Sequence, residues 1–438
     1  MRRSVAFVMT CILMCPLNIA RAGQDEPAQP VSVDLAIAVE RTLATSEALQ
    51  IKKNDAQKTY QVYREAKSTI FPRVSGAVGL TRNLDYTQDP FGMMQDYEAG
   101  YGVEASQLLW SFGKVSAAIK AADRALQAST LEEQSSRQDI VRSAKDAYFT
   151  ALLAQETLAV VKGSYENTLA NKRLLEERTA GGRASQRDNI KIDADIAARV
   201  PVQSRAQAQT TAALATLKSR MGLALDQPVT LRERFSEEYA GLSYPALEYK
   251  LLNDEPTLKA LDRTVEFRDY AAQAQKGDFY PEITGFAGWR RQGASYDWPI
   301  GINDLDDNSL VGVKMSVPIW TGGQTQSRLE RARIETRNAR LQRAQTGKDL
   351  TVALYAAVSE YQEQVKTLQA NTAALKLSEE SFRLNRELFA SGQVSAADLN
   401  DAELLFTSQR LGRLQTLYTL NILRARIEQL TNSGEAGL

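Results

Sequence analysis

The sequence predicts a mainly α-helical chain that also carries four strands of a membrane β-barrel. It is built by tandem duplication of one unit, a long coiled-coil helical hairpin joined to two strands. Three observations point there. Landmarks recur at a constant offset, proline-free runs are long enough to be helices of unusual length, and four short segments alternate in polarity. Internal repeats are read first because a missed repeat misassigns the whole fold.

The repeat is explicit. Phe71-Pro72-Arg73-Val74-Ser75-Gly76 returns as Tyr280-Pro281-Glu282-Ile283-Thr284-Gly285, an offset of 209 residues. Trp110-Ser111-Phe112-Gly113 returns as Trp320-Thr321-Gly322-Gly323, and Gly182 with Asp188 returns as Gly392 with Asp398, both at 210. From Asp139 to Asp188 the first copy aligns on Asp349 to Asp398 without a gap. The chain divides into a signal peptide at 1–22, a first repeat at 23–235 and a second at 236–438.

The N-terminus reads as an export signal. Arg2 and Arg3 form a positive start, Val5 to Leu17 a short apolar run, and Ala20-Arg21-Ala22 an A-x-A cleavage site. The apolar run is too short for a membrane helix. Cys15, between Met14 and Pro16, does not fit a lipidation site. Both cysteines, Cys11 and Cys15, fall in the removed segment, so the mature chain has no disulfide and no thiol ligand. The sequence holds no histidine, which excludes His bases, Ser-His-Asp triads and His metal sites. Loss of Arg2, Arg3 and Arg21 leaves 50 basic against 53 acidic residues, a net charge of −3. That balance gives no nucleic-acid footprint.

Four segments alternate with a two-residue period, at about 71–82, 97–109, 280–291 and 308–319. In the first, Val74, Gly76, Val78 and Leu80 alternate with Ser75, Ala77, Gly79 and Thr81; in the third, Phe286 breaks the pattern. Each is about the ten residues a membrane strand needs. Alternation alone also fits half-buried strands of a soluble sheet. The export signal, the aromatics near strand ends (Phe71, Trp110, Trp289, Trp320) and the polar loops at 82–96 and 290–308 favour the membrane. Four strands cannot close a barrel, and open edges are not viable in lipid. Three chains would give twelve strands, an even number as bacterial barrels have.

The rest reads as helix. Lys114 to Thr179 contains no proline and one glycine, Gly163; Gln324 to Ser391 matches it, with Gly347. Each run would be roughly 100 Å long at 1.5 Å per residue. Apolar positions step by four and three through Ile140, Ala144, Ala147, Ala151, Ala154, Leu158, Val161 and Tyr165, a coiled-coil period. The last helix repeats the stepping from Leu399 through Ala402, Phe406, Gln409, Arg413, Thr416, Leu420, Leu423 and Ile427 to Leu430. The runs turn back at Gly181-Gly182 and at Gly392, because glycine closes helix ends in the left-handed conformation.

With these residues in place, the chain resembles the TolC family of outer-membrane efflux and secretion ducts. The resemblance rests on the strand starts at 71–72 and 280–281, on Ser316-Val317-Pro318-Ile319-Trp320-Thr321-Gly322-Gly323, and on the second hairpin tip, Phe389 to Ala402. It implies a homotrimer in the outer membrane of a Gram-negative bacterium, with a twelve-stranded barrel in lipid and a helical tunnel in the periplasm. Gly181, Gly182 and Gly392 would lie at the tunnel's tips, where a periplasmic adaptor docks. The half-boundary, Gly222 to Leu252, and the chain ends would form a mid-tunnel collar. An inner-membrane transporter of ABC or RND type would supply the energy.

The resemblance also implies a gate. Asp398 and Asp401 match two pore-lining acidic positions, three apart on one helix face. Asp188 matches the aspartate that ties the closed tip together. The usual tyrosine partner is Phe389 here and the usual arginine is Val394, so that lock is incomplete; Arg183 and Arg187 are the substitute cations. Read without the resemblance, these aspartates are helix-start residues favoured by the dipole.

Other classes fit less well. A periplasmic adaptor has one hairpin nested in a lipoyl-like domain, not two in tandem. A helical scaffold protein needs no strands of membrane length. An enzyme lacks histidine, cysteine and a phosphate loop. Asp304, Asp306 and Asp307 lack the glycine and glutamate spacing of a calcium loop.

Overall fold

The two repeats are built from the same run of elements, with helices of matching length. In this computed structural model, residues 31–84, 96–181, 185–237, 239, 241–295, 298–301 and 305–433 are described. A short strand, β1 (Val31–Val33), precedes α1 (Leu35–Thr45) and α2 (Glu47–Ser68). Then come β2 (Arg73–Arg82), β3 (Tyr97–Trp110), α3 (Lys114–Ala180) and α4 (Gln186–Arg220). After β4 (Val229–Leu231) the second repeat gives α5 (Tyr244–Asp254), α6 (Pro256–Gly277), β5 (Glu282–Ser295), β6 (Asp306–Ser316), α7 (Gln324–Ser391) and α8 (Ala396–Leu430). Equivalent helices have 11 and 11, 22 and 22, 67 and 68, and 35 and 35 residues. The export signal, both cysteines, Gly182, Arg183 and Asp304 lie outside the described residues.

The strands differ from expectation at their ends, and proline explains three of the shifts. β2 and β5 begin after Pro72 and Pro281 rather than before them, and β6 stops short of Pro318. Proline has no N–H to donate to a ladder. β5 runs on to Ser295 because β3 offers it a partner as far as Tyr97.

The four long strands form one antiparallel sheet in the order β2-β3-β5-β6. Register sorts most of the side chains by polarity. Ser75 opposes Glu104, Thr81 opposes Glu98, Gly100 opposes Gln292 and Arg290 opposes Asn308, so small and polar residues share one face. Val78 opposes Tyr101, Val103 opposes Trp289 and Ala287 opposes Val311, so the other face is apolar. That apolar face is uncovered: Val78 is 88% and Val311 86% exposed. A groove lies on the polar side, lined by Ser75, Glu98, Glu104 and Arg290 among others. Aromatics gather at both ends. Tyr97 packs on Trp298 at one end, and Phe112 stacks on Tyr280 beside Trp110 at the other. No helix among the described residues is long and apolar enough to cross a membrane.

Each sheet-to-helix passage needs two successive left-handed residues. In the second repeat they are Gly322 (φ 61°) and Gly323 (φ 82°); in the first they are Phe112 (φ 47°) and Gly113 (φ 87°). A bulky residue at positive φ is unusual. Phe112 is held there by its contacts with Trp110 and with Tyr280 of the other repeat.

The long helices are the frame of the molecule, each roughly 100 Å by helical rise. α3 packs against α2 and α6 toward the sheet and against α4 and α8 toward the tip; α7 packs against α6 and then α8. The alanine-rich seam is the buried one: Ala144, Ala147, Ala151, Leu158 and Val161 are buried in α3, as are Leu399, Ala402, Leu420, Leu423 and Ile427 in α8. The largest core lies midway, where Tyr148, Leu152, Leu217, Leu251, Leu354 and Leu420 meet. There β1 pairs in parallel with β4, and α5 docks on α7. This short parallel sheet is an element that the sequence alone did not suggest. Three residues are too few for a legible alternation.

At the sheet end the repeats are pinned by Lys114, the first residue of α3. Its ammonium lies 2.7 Å from both Asp278 and Glu282 of the second repeat. Gly277 allows this approach, because a Cβ there would sit 2.5 Å from the Lys114 Cβ. Gly277→Ala should therefore lower stability by about 1–3 kcal/mol, the cost of overpacking. Gly163→Ala, mid-helix with open space around it in the chain, should raise stability by up to ~1 kcal/mol. Guanidinium unfolding followed by helical circular dichroism checks both signs.

Candidate functional site at the hairpin tips

The second tip is a tight helix–turn–helix closed by glycine. Gly392 ends α7 at φ 86°, its N–H donating to the Phe389 carbonyl and that of Gln393 to Leu388. At the first tip the expected left-handed closure is not at Gly181, which has φ −82°. Both following helices then start alike. The Ser395 hydroxyl donates to Asp398 Oδ2 at 2.6 Å, the Ser395 N–H donates to the same oxygen at 3.0 Å, and the Asp398 N–H donates to Ser395 Oγ at 3.2 Å. Ser185 and Asp188 make the same three bonds at 2.8, 3.3 and 3.3 Å. These are capping boxes, which satisfy helix-start donors reciprocally.

The candidate gate carboxylates therefore differ in freedom. Asp398 is exposed, and its Ser395 bonds, with Lys191 nearby, hold it below the usual carboxylate range. Asp401 is exposed on the same helix face and has no hydrogen-bond or ion-pair partner among the described residues. Asp188 is half-buried and lines a crevice of about 10 Å³ with Phe389, Lys191, Ala396, Leu399 and Asn400. The structure thus brings Asp188 and Phe389 to one place, although phenylalanine has no hydroxyl to offer. Arg187 is exposed and has no ion-pair partner among the described residues.

Phe389 has become a core residue. It is 1% exposed and packs with Leu175, Ile192, Phe382, Leu399 and Ala402, with Val394 at the edge. Arg178 at the end of α3 covers it, its guanidinium 4.5 Å from the ring centre and its Nη1 donating to the Phe389 carbonyl at 2.9 Å. One hairpin thereby grips the end of the other by a cation–π contact and a charged hydrogen bond.

A second tie lies further up the helices and was missed in the sequence. Glu403 of α8 is fully buried and pairs with Arg199 of α4. Ser164 of α3 donates to Glu403 and accepts from Arg199, Thr407 donates to Glu403 Oε1 at 3.0 Å, and Arg199 reaches Asn400 Oδ1 at 3.3 Å. Three helices from both repeats meet at one carboxylate. The signal was Glu403 itself, a charge four residues after the seam residue Leu399. The partner, 204 residues away, could not be named from spacing.

The family model described as outer membrane efflux protein matches residues 38–223 and 247–433, one stretch in each repeat. The chain is 24% identical over 197 residues to the alkaline protease secretion protein AprF of Pseudomonas aeruginosa, covering 44% of this chain and 40% of AprF. It is 25% identical over 221 residues to the cobalt-zinc-cadmium resistance protein CzcC of Cupriavidus metallidurans, covering 48% of each. The matched stretches thus span less than half the length of these curated relatives. The CmeC outer membrane channel of Campylobacter jejuni shares the fold, with a TM-score of 0.79 at 15% identity over 91% of this chain and 86% of that one. On the strength of a family match that takes in most of both repeats, the chain belongs to the outer membrane efflux protein family, the TolC type that its strand starts and second hairpin tip resemble.

Proposed function

We propose that three copies of this chain form an outer-membrane channel-tunnel that passively conducts cargo from a periplasmic adaptor and inner-membrane transporter to the exterior. One observation carries the reading. The sheet is apolar on its outer face yet has two open edges, β2 and β6. In lipid each unpaired backbone group costs several kcal/mol, so the edges must find partners. Pairing β6 of one copy with β2 of the next closes a barrel of twelve strands, with the polar face inside. The long helices then hang below it as a tunnel wall, and the tips at Gly181, Gly182 and Gly392 are the surface for the adaptor. The relatives' names place one in protease secretion and the other in metal resistance. We take cargo choice to rest with the partners.

The gate reading follows from the tip. Asp398 and Asp401 of three copies would set two rings of carboxylates at the narrow end. Such rings attract cations and exclude anions. Asp188, capping the neighbouring helix, adds charge beside them. The closed tip is held within each copy by Arg178 on Phe389 and by Arg199 on Glu403, since the positions of the usual tyrosine and arginine hold Phe389 and Val394 here.

Detergent-solubilised protein should have the mass of three chains in light scattering and should form channels in planar bilayers. A stable monomer that stays soluble without detergent overturns the reading.

Wild-type channels should prefer cations and be blocked by trivalent cations from the tip side. Asp398→Ala with Asp401→Ala should relieve the block while assembly persists, since both side chains are exposed. Because Asp398 is held below its ordinary value, it stays charged as pH falls through the unperturbed carboxylate range. Block should therefore persist as pH falls through the ordinary carboxylate range and fade only below it. Equal block in the double variant returns both residues to plain helix-start acids.

Glu403→Ala leaves the Arg199 cation buried without its partner, a loss of about 3–5 kcal/mol. Basal single-channel conductance should rise as the tip loosens. Arg199→Met with Glu403→Leu replaces the pair by apolar contact and should bring conductance back toward wild type.

A further inference from the structure

The polar face of the sheet is interrupted at one place. Phe286 opposes Gly312 and Gly288 opposes Leu310, so Phe286 and Leu310 sit diagonally adjacent on the side that carries mostly small and polar residues. Glycine on the partner strand seats each of them. A Cβ at Gly312 would meet the Phe286 ring at 2.7 Å, and one at Gly288 would meet Leu310 at 3.7 Å. Leu310, Gly288 and Arg290 line the groove of about 730 Å³ on this face. A phenylalanine and a leucine fitted over glycines form an apolar patch lying flat on the wall.

Two cations bracket the patch. Arg290 follows Gly288 by one inner-face position, and Lys314 follows Gly312 in the other direction, each about 7 Å along its strand. Neither has an ion-pair partner among the described residues. Glu104, across from Gly288, pairs with neither. Glu98 and Asp306 line the same groove but form no ion pair with either cation among the described residues, and closing the barrel on β2 adds no carboxylate. The inner face of β2, which would adjoin β6 of the next copy, carries Arg73, Ser75, Ala77, Gly79 and Thr81.

We infer that the barrel lumen holds a binding station for amphiphilic anions, an inference that rests on the trimeric channel proposed above. The apolar body of the ligand lies on Phe286 and Leu310, and its anionic group meets Lys314 or Arg290. Cargo leaving the tunnel would pause there, selected by chemistry opposite to that of the acidic tip.

The test is current block in planar bilayers by pyrene-1,3,6,8-tetrasulfonate, an aromatic anion, against citrate, an anion with no apolar body. The tetrasulfonate should block wild type at concentrations where citrate does not. Phe286→Ser and Leu310→Ser should each weaken that block roughly tenfold or more, the loss expected when an aromatic or apolar contact goes. Lys314→Gln should weaken it too. Unit conductance of each variant in the absence of blocker reports whether the barrel has formed, and either serine variant suffices. Equal block in the serine variants, or block by citrate as strong as by the tetrasulfonate, overturns the station and leaves the channel standing. A wild-type protein that conducts nothing overturns the channel, and the station with it.

Discussion

β2 and β6 each leave one side of their backbone unpaired on a sheet whose outer face is apolar. A strand edge in water can be hydrated, but an edge in hydrocarbon cannot. This constraint dictates the rest of the architecture. In the proposed channel the chain cannot satisfy its own sheet, so copies of itself supply the missing partners. Copies arranged around a barrel axis place their helices around the same axis. The helices are then long because nothing inside one copy limits them; each is supported along its length by neighbours. The alanine seams suit this arrangement, since small residues let helices in a curved wall pack closely without a thick core.

Duplication solves the pairing within one copy, and the departures from symmetry show where the copies have diverged. The capping boxes at Ser185 and Ser395 are the same device used twice. The strand-to-helix passages are not. The second uses two glycines, whereas the first holds Phe112 at positive φ so that its ring can stack on Tyr280. The acids one turn beyond the boxes also differ. Asp193 pairs with Lys172 inside its own hairpin, but its counterpart Glu403 is buried and reaches Arg199 in the other hairpin. Ties between repeats are therefore made by residues that have no symmetric equivalent.

What the sequence showed follows from which forces are local. The helices, the strands, the glycine turn at Gly392 and the seam were legible because periodicity and backbone conformation are written in neighbouring residues. Strand ends were misplaced by two to four residues where proline or a distant partner decided them. The three-residue pairing of Val31–Val33 with Val229–Leu231 was not legible, since parallel pairing across the chain leaves no local mark. At the tip, Asp398, Asp401 and Asp188 could be singled out by position. The cations of the tip could not: Lys191 near Asp398, Arg178 on Phe389 and Arg199 on Glu403 come from helices whose alignment only the fold sets.

The tip shows how one carboxylate can serve stability and electrostatics together. Asp398 holds the start of α8 through Oδ2 alone, leaving Oδ1 free and the full charge in place. A carboxylate fixed in a capping box does not swing away from a passing cation, so its field is oriented before any ion arrives. Asp401, one turn on and unattached among the described residues, has the opposite character: it can move to meet an ion. In the proposed gate, a fixed charge beside a mobile one would give the constriction both a permanent bias and an adaptable contact. The aromatic that the family would use to lock this place has been withdrawn into the core as Phe389, with Arg178 folded over it. In the proposed gate, the tie lies in the packing between hairpins, where Arg178 on Phe389 would hold the tip without competing for the carboxylates.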